Sequence, residues 1–421
     1  MKKYLKLLAC MLIFFPGLSS RAPLWGADIG LFLDQTTEYH GSENEGIFDF
    51  GRGDTFGKSD ALEYSGTLIP WFSAFPGDNS GFYFSASITA DWKKETLSYT
   101  PELLRTEFSW HSESGEARLG RMKYTDPLGF IADGLFDGAY LSLDVGRGNV
   151  SMGAWYTGLL YKERAKITMT PAELQSYNTP LDYENFTDTY FAPRRVISAL
   201  EWGHSGLAEQ AQIRLALLGQ FDLARENSID SQYLTGRISV PIVDLTIDLG
   251  GCVEAVEYSD EYKIALAGEM KFSWMFPATR LSLMWRYSGG MPDNTDSQMT
   301  AFLPLSTVYQ GDILKAKISG LSVVSLDYLC RMHRTLSTGL TASCFIRNDL
   351  GTYSGYPLTA DGDNSGNSIL GTELFGRLLW APISDIQINL GGGAFLPKMG
   401  NVARDVPFLW RVEMNFILVL Y

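Results

Sequence analysis

The chain has 421 residues, a formal net charge of −14, and 19% charged against 45% hydrophobic residues. That acidic balance excludes nucleic acid as a partner, because a negative surface repels phosphate. Forty-two glycines with 24 Phe, 21 Tyr and 10 Trp suit pleated strands and turns better than a helical enzyme.

The N-terminus comes first. Lys2, Lys3 and Lys6 precede an apolar run from Leu7 to Leu18, and small residues follow at Ser19, Ser20, Gly26 and Ala27. This order predicts a secretory signal peptide over 1–27, with the mature chain starting near Asp28. The run is too short to span a bilayer, which takes about twenty apolar residues. Leu7-Leu8-Ala9-Cys10 lies too early in the run to serve as a lipobox. Residues 1–27 carry four basic side chains and no acids, so their removal takes the charge from −14 to −18.

From Asp28 onward, apolar and polar residues alternate. Ile213, Leu215 and Leu217 interleave with Gln212, Arg214 and Ala216, and Ile386, Ile388 and Leu390 oppose Asp385, Gln387 and Asn389. Period two with one apolar face is the strand signal. It predicts strands over 28–39, 61–74, 81–93, 101–111, 115–122, 136–145, 149–161, 194–203, 209–221, 231–240, 243–257, 262–275, 279–288, 313–330, 336–347, 369–380, 384–396 and 408–421. No stretch is long enough for a membrane helix. A secreted chain of this kind can cross a membrane only as a closed barrel, in which every backbone group bonds to a neighbouring strand. The expected fold is therefore all-β, a transmembrane antiparallel up-and-down β-barrel of about 18 strands over 28–421.

The connections sort by parity. Those after even strands are short, as at Pro76–Asn79, Ser112–Ser114 and Gly146–Gly148. The long ones, 40–60, 162–193, 289–312 and 348–368, all join odd to even strands and are expected on the outer surface. Of these, 162–193 and 289–312 are also candidates to fold into the pore. Aromatic residues near strand ends, Trp71, Phe72, Trp92, Trp110, Trp202, Trp274, Trp380 and Trp410, are expected to form interfacial girdles. The last strand alternates Trp410, Val412, Met414, Phe416, Leu418 and Leu420 with Arg411, Glu413 and Asn415, then ends at Tyr421. This resembles the terminal signal read by the barrel-assembly machinery, although phenylalanine is the more usual last residue.

Extending the alternation places Arg105, Arg118, Arg214, Arg237, Lys271, Arg286, Arg377 and Arg411 on the lumen face. Glu107, Asp244, Asp248, Glu269, Glu373, Asp385 and Glu413 share it. These are the candidate selectivity residues, since an Arg or Lys facing mid-bilayer lipid costs about 2–4 kcal/mol. Some are expected to brace the wall as ion-pair ladders, Arg377, Asp385, Arg411 and Glu413 among them, and others to filter solutes by charge. The excess acid is expected in loops, at Glu43, Glu45, Asp49, Asp54, Asp60, Glu173, Asp182 and Glu184, making a negative vestibule.

Arg118-Leu119-Gly120-Arg121, followed by Leu135-Phe136-Asp137-Gly138-Ala139, resembles the hairpin of alginate-export-type porins. The likeness covers some 25 residues. It implies an eighteen-stranded barrel passing a polar, anionic sugar through an arginine-lined pore.

Catalytic and metal motifs are not found. His40, His111, His204 and His333 do not join a serine and an acid on one wall, and no His/Cys cluster has metal-ligand spacing. Asp361–Gly366 lacks the downstream glutamate of a calcium loop. Cys252, Cys330 and Cys344 read as small apolar filler. No catalytic residue, metal site or cofactor is expected. The expected partners are outer-membrane lipid and a small polar solute, with the oligomeric state open. The leading reading is a passive porin. A surface adhesin without an open pore, a barrel enzyme and a secreted soluble β-protein remain alternatives.

Overall fold

A computed structural model describes residues 26–42, 47–49, 54–56, 61–93, 96–168, 173, 179–207, 210–223, 228–258, 261–290, 299–348, 368–401 and 408–421. Eighteen strands form one antiparallel sheet. They are β1 (Gly26–Ser42), β2 (Ala61–Gly77), β3 (Ser80–Lys93), β4 (Thr96–Ser112), β5 (Gly115–Thr125), β6 (Asp133–Val145), β7 (Gly148–Tyr156), β8 (Arg195–Leu207) and β9 (Ala211–Asp222). The second half is β10 (Ile229–Ile242), β11 (Leu245–Tyr258), β12 (Glu261–Met275), β13 (Thr279–Ser288), β14 (Leu321–His333), β15 (Leu336–Arg347), β16 (Ile369–Ile383), β17 (Ile386–Leu396) and β18 (Leu409–Leu420). Each pairs with its neighbours in sequence. β1 also pairs with β18, from Leu31 opposite Leu420 to Ser42 opposite Leu409, so the sheet closes on itself. Closure removes the edges that lipid cannot solvate.

The alternation read from the sequence is the inside–outside pattern of this wall. In β9, Ile213, Leu215, Leu217 and Phe221 point outward, while Arg214, Ala216, Leu218 and Gln220 point inward. The outer face exposes Leu119, Leu200, Leu217, Leu234, Val253, Leu340, Leu374 and Val412. That apolar exterior suits hydrocarbon. Exposed aromatics such as Trp92, Trp110, Trp202 and Trp380 sit toward the strand ends. Trp71 departs from the expected girdle. It pairs opposite Gly30 on the inner face and lies against Tyr83, because its place in β2 has lumen parity.

One rim carries only tight connections, such as 78–79, 113–114, 146–147 and 384–385. The opposite rim carries 43–60, 157–194, 289–320 and 348–368, which reproduces the expected parity. Much of 43–60 and 348–368, including the calcium-like stretch, lies outside the described residues.

Four expectations need correction. Asp244 and Asp385 occupy short-rim turns rather than the wall. Val243, in a left-handed conformation at φ 53°, turns the chain just before β11. The seventh strand ends at Tyr156, not at 161. β14 begins at Leu321, not at 313. Ile313, Leu314, Ala316 and Ile318 are buried against the lumen wall in a loop, which mimics strand periodicity, and Gly320 at φ 63° separates them from the strand.

Orientation can be checked by cysteine substitution. A membrane-impermeant thiol reagent is expected to label positions 214, 271 and 387 and to leave 215, 266 and 388 silent in intact barrels. The reverse pattern would invert the wall.

Candidate functional site

Three connections of the long-loop rim fold into the barrel instead of standing outside it. The first is 126–132. The Asp126 carboxylate accepts the backbone N–H of Leu128, Gly129, Ile131 and Ala132 at 2.7–3.1 Å, which ties a short apolar loop into a knot. Burial pushes this carboxyl above the ordinary carboxylate range, and the four donors pull it back. Leu128, Phe130 and Ile131 then pack inward with Phe136, Trp155 and Ile197 of the wall.

The second is 157–194, whose described residues include the short helices α1 (Lys162–Ala165) and α2 (Phe186–Tyr190). The third is 289–320. These loops are bound to one another. Ser306 N–H donates to Ile131 O at 2.9 Å, Thr168 N–H to Leu305 O at 3.0 Å, and Thr307 N–H to Lys166 O at 2.6 Å. Phe302 meets Phe130 edge-on at 6.5 Å.

Loop 289–320 is pinned to several sectors of the wall. On one side the Tyr233 hydroxyl donates to Leu303 O at 2.6 Å, and Leu303 N–H donates to Glu254 at 2.8 Å. On another, Glu373 accepts the N–H of Asp312, Ile313 and Leu314 at 2.6, 3.1 and 2.9 Å. Arg377 pairs with Asp312, Arg411 donates to Asp312 O, and Lys315 lies 4.0 Å from Glu38. Burial pushes the Lys317 ammonium below its ordinary value. The segment is thus a strap crossing the lumen, and a solute must pass beside it. The outer-surface placement of 162–193 and 289–312 is corrected accordingly. Among the described residues, 162–168 and 299–312 take the alternative placement, folded into the pore, while Tyr183 and Tyr190 bond the edge of β4.

Apart from the two turn residues, the candidate lumen residues do face inward. Most are partnered. Arg105 meets Glu107 at 2.8 Å, Arg214 meets Glu201 at 3.0 Å, and Arg237 meets Asp248 at 3.0 Å. Arg286 pairs with Glu269 and donates to Gln310 at 2.7 Å. Arg411 meets Glu38 and Glu413, both at 2.7 Å. Arg118 lies 4.4 Å over the Tyr140 ring and 3.4 Å from Glu116. Lys271 stands opposite Asp248 in the ladder. Asp385 joins neither Arg377 nor Arg411, since its turn holds it at the rim. Glu173, expected in the vestibule, instead pairs with Arg195 at 2.8 Å.

Sequence reasoning missed Glu38, Glu102, Glu201 and Glu254, each on the inward parity. It also missed the seam between β4 and β5. Above Thr106, β4 has no β5 partner. Its edge carbonyls at Tyr99, Pro101 and Leu103 instead accept from the Tyr183 hydroxyl, the Tyr190 hydroxyl and the Arg121 guanidinium. Side chains replace the missing strand there. Pro101 was the available signal, since it cannot donate to a neighbour.

Solved structures similar in fold are outer-membrane proteins of Pseudomonas aeruginosa. OccK2 (OpdF) in complex with glucuronate superposes with a TM-score of 0.61 at 13% identity, covering 94% of this chain and 97% of that one. OprD gives 0.56 at 10% identity, covering 93% of each chain. OccD3 (OpdP) gives 0.56 at 12% identity over 94% and 93%. The fold is that of the outer-membrane porins. Neither a protein-family model nor a curated protein matches the sequence. Identities this low make the porin fold, and nothing finer, the common property.

Proposed function

We propose that the chain is an outer-membrane porin through which small polar solutes, sugars or ions, diffuse passively. The observation that carries this is the combination of an apolar exterior with a charged interior narrowed by inward loops. A barrel of this strand number leaves an aqueous lumen. The basic-then-apolar N-terminus supports export across the inner membrane, and the amphipathic last strand supports delivery to the barrel-assembly machinery.

The hairpin resemblance to alginate-export-type porins would add an anionic sugar, and one structural neighbour was solved with glucuronate. In this chain most of the wall arginines are engaged by wall carboxylates. The reading adopted is therefore a polar-solute channel without commitment to anions. No reacting group is invoked, so the reading is a channel and not an enzyme.

The test is a planar bilayer holding the purified barrel. Ohmic single-channel steps are expected, with modest cation preference in dilute salt from the acidic loops. That preference should fade near 1 M salt, where the Debye length is about 3 Å. Absence of conductance in a folded, heat-modifiable barrel would favour the adhesin alternative. Strong anion preference in dilute salt would overturn the vestibule account.

A further inference from the structure

One patch of the inner wall is not explained by the strap or by the ion-pair ladders. Phe32 of β1, Trp71 of β2 and Tyr83 of β3 share the inward parity in the half nearer the short turns. The Trp71 ring lies across Gly30, where a Cβ would come within 2.5 Å of three indole atoms, so only glycine leaves room for it. The Trp71 and Tyr83 planes lie within 13° of each other, with centroids 6.2 Å apart. Phe32 adjoins at 6.3 Å. Arg105 sits 4.9 Å over the Tyr83 ring, held from the side by Glu107. None of the contacts that pin the inward loops involves Phe32, Trp71 or Tyr83.

The same inward parity of β2 and β3 carries Ile69 and the part-exposed hydroxyls Ser65, Thr67 and Thr89, with Ser85 and Ser87 buried beside them, and Thr67 bonds Thr89 at 3.0 Å. Aromatic residues in a polar lumen cost solvation unless something apolar covers them. Core packing would enclose the rings, yet these are only partly buried.

We propose that Phe32, Trp71 and Tyr83 form a stacking platform for a pyranose ring, with Arg105 and the part-exposed hydroxyls of Ser65, Thr67 and Thr89 taking the sugar hydroxyls. A pyranose presents an axial C–H face to an aromatic plane and hydroxyls around its edge. An aromatic surface bordered by short hydroxyls and one charged donor matches both features. The proposal rests on the channel reading and adds a subsite and a ligand class to it.

The experiment measures interruption of single-channel current by glucose, by maltose and by sorbitol. Sorbitol carries hydroxyls without a ring. Glucose and maltose are expected to interrupt the current, and sorbitol is not. Trp71→Leu, which keeps apolar bulk but removes the π-face, should shorten the interruptions roughly three- to tenfold. Trp71→Phe should retain most of the effect, and Tyr83→Leu serves if Trp71→Leu fails to assemble. Equal action of sorbitol and glucose, or unchanged interruptions in the open Trp71→Leu and Tyr83→Leu channels, would overturn the platform. Glucuronate acting where glucose does not would assign recognition to the arginines instead, and would also overturn it. A wild-type barrel with no current at all overturns the channel reading, and this proposal falls with it.

Discussion

Replacing Glu373 by alanine is expected to raise single-channel conductance and to make the current flicker. The carboxylate is 1% exposed and gathers three consecutive N–H groups of the strap. Its removal leaves those donors without their acceptor beneath a loop that has left the wall's own hydrogen-bond ladder. Each buried donor left without an acceptor costs about 1–3 kcal/mol. The barrel ladder is untouched, so the cost should fall on the strap alone. Ile313, Leu314 and Ala316 would still favour the wall apolar cluster formed by Phe345, Phe375 and Phe395. The strap should therefore exchange between docked and released states. Glu373→Gln keeps an acceptor of the same shape and should lie between alanine and wild type. The checks are conductance and protease cleavage near 310–316 in assembled barrels. Unchanged conductance with Glu373→Ala would show that the strap does not limit the pore.

The barrel was legible because its physics is local and repetitive. Outward residues meet the same hydrocarbon and most inward ones meet water, charge or an inward loop, so period two survives through the strands. The parity of long connections was legible for a related reason, since both ends of each strand pair obey one membrane. What failed to show were contacts made by sequence-distant side chains inside the lumen. Asp126 is an ordinary turn residue until Leu128, Phe130 and Ile131 are seen to pack against Trp155. An apolar loop on the long-loop rim was the available clue, there and at Ala301–Leu305. Asp244 and Asp385 have lumen parity in the sequence pattern, but parity does not say where a strand stops. Glu254 shares the alternation of Cys252 and Val256, yet its part in holding Leu303 depends on a loop some fifty residues away.

Arg121→Met is expected to be among the most destabilising single changes in the wall. The Arg121 side chain is 5% exposed and meets Asp137 at 2.7 Å, with a second bond to that carboxylate at 2.8 Å. It also donates to Leu103 O and, at 2.9 Å, to Leu159 O. One guanidinium thus satisfies a carboxylate, an edge carbonyl of β4 and a carbonyl of the loop that closes the seam. Methionine fills similar volume but donates nothing. Asp137 would keep its charge without a partner, and two carbonyls would face a wall that must stay closed to lipid. Breaking such a buried pair costs about 3–5 kcal/mol. By contrast, Lys123→Gln removes a pair with Asp133 whose side chains are 66% and 36% exposed, and should cost at most about 1 kcal/mol. The measurement is the urea midpoint in detergent, read by loss of heat-modifiable migration. Arg121→Met with Asp137→Leu should recover part of the loss, because it removes the stranded charge while leaving the carbonyls unmet. Full recovery in the double variant would mean that the seam carbonyls need no donor. An Arg121→Met midpoint equal to wild type would mean that the Tyr183 and Tyr190 hydroxyls hold the seam without it.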